Sequence, residues 1–184
     1  KPTVSSLTST VVDGLNGKYV QGKSKATLTA TASAGSGSSL SSYIFKGANI
    51  SGSSSSYTGT SNTQTSSIIQ TSGTVQYEVA AKDTRGRISD YQTVSINVHA
   101  YAAPQITSIS AQRCLQDGTI NNDGTYAKVT VKTSYSSVDG ANTRTVKLYN
   151  SKDNFVAATT VLNTTDTETT YVGVYGGTFD TSTN

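Results

Sequence analysis

Apolar residues recur at every second position along much of this chain, a period that predicts strands rather than helices. The cleanest run is 25–33, where Ala26, Leu28, Ala30 and Ala32 fall on one face and Thr27, Thr29 and Thr31 on the other. A second run begins at Thr74 and sets Val75, Tyr77, Val79 and Ala81 on one side, and a third does the same with Val94, Ile96 and Val98. Between these two, Asp83 and Gly86 supply turn chemistry, because Asp bonds its own backbone and Gly tolerates positive φ. Two alternating strands joined by a tight Gly-containing turn predict a hairpin, which would close a small antiparallel sandwich.

The remaining pattern of the first hundred residues fits around that hairpin. Residues 1–12 read as a first edge strand, with Pro2 at its start, where a missing N–H does little harm. Turns or loops are expected at 13–17 and 34–39, and a short strand at Ser42 to Lys46. Residues 47–66, rich in Ser, Thr, Gly and Asn with Tyr57 as their one aromatic, predict a loose edge strand and loops, closed by another strand at Ile68 and Ile69. About seven strands in about 100 residues is the count and spacing of an immunoglobulin-like sandwich.

After residues 100–104, read as a linker, the pattern restarts. Pro104-Gln105-Ile106-Thr107-Ser108-Ile109 echoes Pro2-Thr3-Val4-Ser5-Ser6-Leu7, an internal repeat at a period of about 100 residues. The expected organisation is therefore one domain over 1–99 and a second over 105–184. In the second, a turn cluster spans Asp117 to Gly124. A strand over Tyr126 to Tyr135 follows, with Ala127, Val129, Val131, Thr133 and Tyr135 on one side. A turn at Asp139-Gly140 and strands at Thr143 to Tyr149, Phe155 to Leu162 and Thr169 to Tyr175 complete the pattern. No counterpart of the first hairpin follows Phe179-Asp180-Thr181-Ser182-Thr183-Asn184. A sheet lacking two central strands would expose a long edge. The second unit is thus expected to be truncated at its C-terminal strands, to be completed by another chain, or to close with fewer strands.

Composition narrows the function classes. Ser and Thr together make up roughly a third of the chain, while apolar residues account for only 34%, enough for thin cores but not for one thick one. The net charge is +3 and charged residues are 14%, with no run of three Lys or Arg, which argues against a nucleic-acid partner. No apolar run approaches the ~20 residues of a membrane helix, so no membrane partner is expected. Cys114 is the one cysteine and His99 the one histidine, which leaves no internal disulfide and no zinc cluster of the usual kind.

The chemistry-bearing residues are few. A Ser/His/Asp or Cys/His arrangement would have to use His99, which sits at a strand end beside the linker, and Cys114 reads as a buried inert thiol at a strand edge. Asp166 and Glu168 lie two apart on one strand side, without the cleft that glycosidase chemistry needs. Asp117, Thr119, Asn121 and Asp123 place oxygen ligands at spacing two, like the start of a calcium loop. Gly124 falls at the eighth position rather than the sixth, however, and no acid stands at the twelfth, so a polar hairpin turn is the better reading. The 11 tyrosines suit contact surfaces or sugar stacking, but Tyr77, Tyr126 and Tyr135 fit sandwich cores, and Tyr19, Tyr57, Tyr91 and Tyr101 fit strand ends. Asn49-Ile50-Ser51 and Asn163-Thr164-Thr165 match glycosylation sequons, which arise by chance in Ser/Thr-rich chains. Catalytic, cofactor-binding and metal residues are accordingly expected to be none, and the chain is not expected to be an enzyme.

Two resemblances sharpen this. Tyr77-x-Val79-x-Ala81-x-Asp83-x-x-Gly86 resembles the closing hairpin of fibronectin type III and related bacterial and phage immunoglobulin-like modules, in which the Tyr packs at a sheet corner. Arg113-Cys114, Asp117-Gly118-Thr119, Asn122-Asp123-Gly124-Thr125-Tyr126 and Val138-x-Gly140-x-Asn142 resemble modules of a minor structural protein family in siphophages of Gram-positive bacteria. The resemblance implies an all-β chain of two tandem immunoglobulin-like, fibronectin III-like sandwiches in a tail or baseplate protein of the virion. Their duty would be that of a spacer or decoration among other virion proteins. An adhesin module for host cell-surface polysaccharide, on a phage or a bacterial surface, is the alternative, and an accessory domain beside a hydrolase is a weaker third.

Overall fold

The structure is a computed structural model. It describes residues 1–50, 54–56, 58–149, 157–160 and 168–176, with side chains described for 1–50 and 58–146. Among the described residues every regular element is a strand, so none forms a helix long and apolar enough to cross a membrane. The chain divides into two compact units, Lys1–Tyr101 and Ala102–Asn184.

The first unit holds β1 (Thr3–Val12), β2 (Tyr19–Val20), β3 (Lys25–Ser33), β4 (Leu40–Gly47), β5 (Ser54–Ser56), β6 (Ser61–Thr65), β7 (Gly73–Asp83) and β8 (Gln92–His99). They form one sheet in the order β1-β3-β6 and another in the order β2-β8-β7-β4-β5. All neighbours are antiparallel except β2, which runs parallel to β8 with Tyr19 opposite Val98. A single hydrophobic core joins the two sheets.

The alternation in β3 explains the shape of that core. Its inward face is Ala26, Leu28, Ala30 and Ala32, all buried, while the facing sheet contributes Tyr43, Phe45, Val75, Tyr77, Val79 and Ala81. Small side chains on one sheet leave depth for rings from the other, because facing sheets stand only about 10 Å apart. The Tyr43 and Phe45 rings stack with centroids 6.3 Å apart, and the Tyr43 hydroxyl donates to the Gly59 carbonyl at 3.0 Å. On the outward face of β3, the Thr27 and Thr65 hydroxyls meet at 2.9 Å across the β3–β6 pair, so the alternate threonines form cross-strand contacts.

Three local expectations change. Ile68 and Ile69 do not form a strand. The segment after β6 instead pairs its backbone with the start of β3, Ser66 N–H donating to Ala26 O and Ile69 N–H to Ser24 O, both at 2.9 Å. Ile69 is thereby carried into the core while Ile68 stays exposed, which gives two adjacent apolar residues opposite roles. The loose stretch 47–66 contributes two edge strands to different sheets, β5 beside β4 and β6 beside β3. The hairpin connection runs from Thr84 to Tyr91, longer than the tight turn expected, and folds back so that Lys82 bridges Ile88.

Gly47 ends β4 with φ at 144°, a conformation that L side chains rarely adopt. A Cβ there would run into the Tyr77 ring and lie 2.9 Å from the Gln76 carbonyl oxygen. Gly47→Ala is expected to destabilise the unit by about 1–3 kcal/mol through strain and overpacking together. Gly17→Ala is the control, since Gly17 also has positive φ but has open space around it. Urea midpoints of the two variants should differ, with Gly47→Ala the lower.

The second unit holds β9 (Gln105–Cys114), β10 (Tyr126–Ser134), β11 (Val146–Tyr149), β12 (Ala157–Thr160) and β13 (Glu168–Gly176). They form a sheet in the order β13-β10-β9 and a two-stranded sheet of β11 and β12. The strand expected over 143–149 starts only at Val146, because the turn before it is wider than Asp139-Gly140. Val138, Asp139 and Gly140 all take positive φ, and Asn142 N–H returns to Ser137 O at 2.8 Å. The repeated opening strand also behaves differently here. Val4 of β1 is buried, whereas Ile106 and Ile109 of β9 are 66% and 63% exposed. Ile109 lies opposite Val131, and Ile106 opposite Thr133; both partners are buried, so the layer covering β10 does not reach the edge strand.

Candidate functional site

The end of β10, beside the edge strand β9, carries the most chemically distinctive group in the described residues. Arg144 is only 5% exposed although it is charged. Its place follows from the turn before it. The Asn142 side-chain amide donates to Ser136 O at 2.8 Å, fixing the returning chain alongside the end of β10. Arg144 Nη1 then donates to Thr133 O at 3.2 Å, and its Cζ lies 4.6 Å from the centre of the Tyr135 ring. Hydrogen bonding on one side and cation–π contact on a face hold the guanidinium plane in position. Its Nε and Nη2 are buried without a partner, and so is the Thr133 hydroxyl.

Arg144 and Thr133 both line a cleft of about 230 Å³. Pro104, Ile106 and Val146 give it apolar walls. A register shift in β9 between the partners of Lys132 and Thr133 makes Thr107 an extra residue, with its hydroxyl donating to Lys132 O at 3.1 Å. Such bulges re-aim neighbouring side chains at strand edges. The arrangement offers hydrogen-bond donors and a positive charge, with a small apolar surround.

The residues singled out in the sequence are placed elsewhere. Asp117 Oδ1 accepts from Thr119 N–H at 2.9 Å, and Asn121 Oδ1 accepts from Asp123 N–H at 2.8 Å. Both side chains thus close turns on their own backbone. The Thr119 amide and hydroxyl hold the Asp117 carboxyl below its ordinary range. Gly124 completes the cluster at a point where a Cβ would run into the Cys114 backbone. Cys114 is fully buried at the end of β9, opposite Tyr126. His99 ends β8 in the other unit, opposite Val20. The Asn49 side chain donates to Ile68 O at 2.7 Å. Tyr57, Ser51, Asn163-Thr164-Thr165, Asp166 and 179–184 lie outside the described residues.

In the first unit, the most heavily hydrogen-bonded carboxylate belongs to the hairpin. Asp83 is buried and accepts from Arg85 N–H at 3.0 Å, Arg87 N–H at 2.9 Å, Arg87 Nε at 2.8 Å and the Ser38 hydroxyl at 3.2 Å. Burial alone would push this carboxyl up. The Arg87 amide, the Arg87 guanidinium and the Arg85 amide outweigh it and hold the group below the ordinary carboxylate range. Its work is to tie the β7–β8 connection to the β3–β4 loop.

Arg144 was not legible as a site residue. It stands between two threonines in a stretch that reads as strand, and only the turn at 138–141 brings it against Thr133 and Tyr135. Compared with known protein families, curated proteins and solved structures, the chain matches none.

Proposed function

We propose that the chain is a pair of immunoglobulin-like, fibronectin III-like modules acting as a non-enzymatic spacer or decoration in a phage tail or baseplate, among other virion proteins. The packing of the tyrosines carries this reading. Tyr43, Tyr77 and Tyr135 are buried, and the Tyr19 hydroxyl is tied to Ser9 at 2.7 Å. Tyr91 is exposed at one edge, but the Lys46 ammonium lies 4.1 Å from its ring centre. These described rings fill cores and edges rather than form a stacking platform.

Other observations support the same reading. Two sheets of mostly antiparallel strands, with sequential strands changing sheet and one core between them, suit an immunoglobulin-like module in the first unit. Asp83 and Asp117 are engaged by backbone amides, which favours structural over catalytic duty. The phage assignment itself rests on the resemblance over Arg113 to Asn142.

Purified chain is expected to show no saturable binding to bacterial cell-wall polysaccharide in a pull-down or on a glycan array. Saturable binding that disappears in Tyr91→Ala or Tyr101→Ala would overturn the spacer reading in favour of an adhesin module. The cleft at Arg144 is a separate observation that favours recognition of a small ligand.

A further inference from the structure

We infer that the cleft beside β9 and β10 is a carboxylate-binding site anchored by Arg144, a role independent of the spacer reading. The argument begins with the two nitrogens left without partners. In a planar guanidinium, Nε–H and one Nη2–H lie parallel on the same edge, and that edge takes the two oxygens of a carboxylate in a bidentate pair. Arg144 uses its Nη1 on Thr133 O and one face on Tyr135, so the unpaired atoms are the two of that edge. The edge is therefore held in place before any ligand arrives.

Leaving such donors buried and unpaired is unfavourable, and a ligand that supplies acceptors removes that cost. The Thr133 hydroxyl adds a third unpaired group on a residue that is itself 5% exposed. It is flanked by the same cleft, so one bound anion can meet both side chains. Among the described residues Arg144 is the one charged residue lining the cleft, and the neutral Gln105, Ser134 and Thr145 supply the remaining polar lining. A single positive charge matches a monoanion; a phosphate dianion would keep an uncompensated charge in a partly apolar site. Pro104, Ile106 and Val146 then suit a small apolar body attached to the carboxylate. The exposure of Ile106, otherwise anomalous for an apolar strand residue opposite a buried partner, becomes a wall of the site.

The ligand chemistry is thus a carboxylate on a small branched apolar group, whether a free acid or the C-terminal residue of a peptide. Isovalerate and N-acetylvaline represent these two sources. N-acetylvalinamide lacks the carboxylate, and inorganic phosphate replaces it with a tetrahedral anion. The full 184-residue chain, labelled with ¹⁵N, is titrated with each probe while the Arg144 Nε–H resonance is followed. Isovalerate, N-acetylvaline or both should give a saturable shift, the tighter of the two identifying the source, and the amide and phosphate should give none.

Arg144→Lys keeps the charge and removes the planar edge, and is expected to weaken binding at least about tenfold. Thr133→Val is close to isosteric and removes only the unpaired hydroxyl. It should fold as the parent does and weaken binding by about threefold. For the variants, binding is read from the backbone amide at position 133. No saturable shift with either acid overturns the assignment, as does equal binding of acid and amide, or phosphate binding tighter than both acids. If Arg144→Lys fails to fold, unchanged affinity in Thr133→Val together with equal binding of acid and amide still sinks it.

Discussion

Asp83→Ala lowers the unfolding midpoint of the first unit by on the order of 15 °C. The reason is the number of donors it strands. The Arg85 and Arg87 amides, the Arg87 guanidinium and the Ser38 hydroxyl all converge on this one carboxylate. Alanine leaves each of them to find water or remain unpaired in a loop whose geometry the carboxylate sets. Arg87 Nη2 also lies 2.8 Å from Asp83 Oδ2 and 3.1 Å from the Ser38 hydroxyl, so the β3–β4 loop loosens with the hairpin. Asp83→Asn should fall between the parent and alanine, because its one carbonyl oxygen can still accept from backbone amides. Calorimetry, with amide exchange in β7 to assign the transition, checks the order.

The same carboxylate gives the first unit an acid limit. Its pKa is depressed in the folded state, so its contribution is present above the unfolded value of 3.8 and is lost as pH falls through the lower folded value. The parent should therefore lose stability more steeply than Asp83→Asn at pH below 3.8. Parallel profiles for the two proteins over that range would count against this account.

Tyr77→Ala is expected to cost about 3–5 kcal/mol, as for other large aromatic truncations in a closed core. The ring lies fully buried on β7 among residues of both sheets, and the backbone of Gly47 approaches it closely enough that no side chain fits between them. Tyr77→Phe should behave in the opposite way. The hydroxyl is buried without a partner, and the nearby Ser66 hydroxyl is already committed to Ala26 N–H and Ser67 O. Removing it should be neutral or stabilise by up to about 1 kcal/mol. Burial raises the phenol's pKa, the Ser66 hydroxyl opposes this, and Tyr19 adds to the rise. The contribution of the neutral phenol is present below the ordinary value of 10.0 and is lost as pH rises through the higher folded value. Tyr77→Phe should accordingly keep more of its stability in alkali than the parent, as read from urea midpoints. A phenylalanine variant as unstable as the alanine variant would show that the hydroxyl has a structural partner.

How far the sequence could be read depended on how local each interaction is. In β3 the buried set Ala26, Leu28, Ala30 and Ala32 is the set given by period two, since the alternation of a strand is built into its backbone. The hairpin face of Val75, Tyr77, Val79 and Ala81 was legible for the same reason, as was Asp83 as a turn former. By contrast, β2 is two residues long and has no pattern of its own; its existence depends on β8 being alongside. Ile69 also looked like a strand residue until the backbone pairing of its segment with Ser24 and Ala26 made it a core plug.

The candidate cleft shows the same division more sharply. The sequence by itself determined that the regular elements of the described residues would be strands, that Thr and Ala would alternate across β3, and that polar turns would stand at Asp117 to Gly124 and at Asp139-Gly140. Each is fixed by near neighbours along the chain. Only the tertiary structure decided that Ile106 would be exposed while Val4, its counterpart in the repeat, is buried. It also decided that Arg144 would lie against Thr133 and Tyr135 with one edge unpaired. Burial and pairing depend on which distant segment covers a strand, and two similar strands receive different cover in the two units.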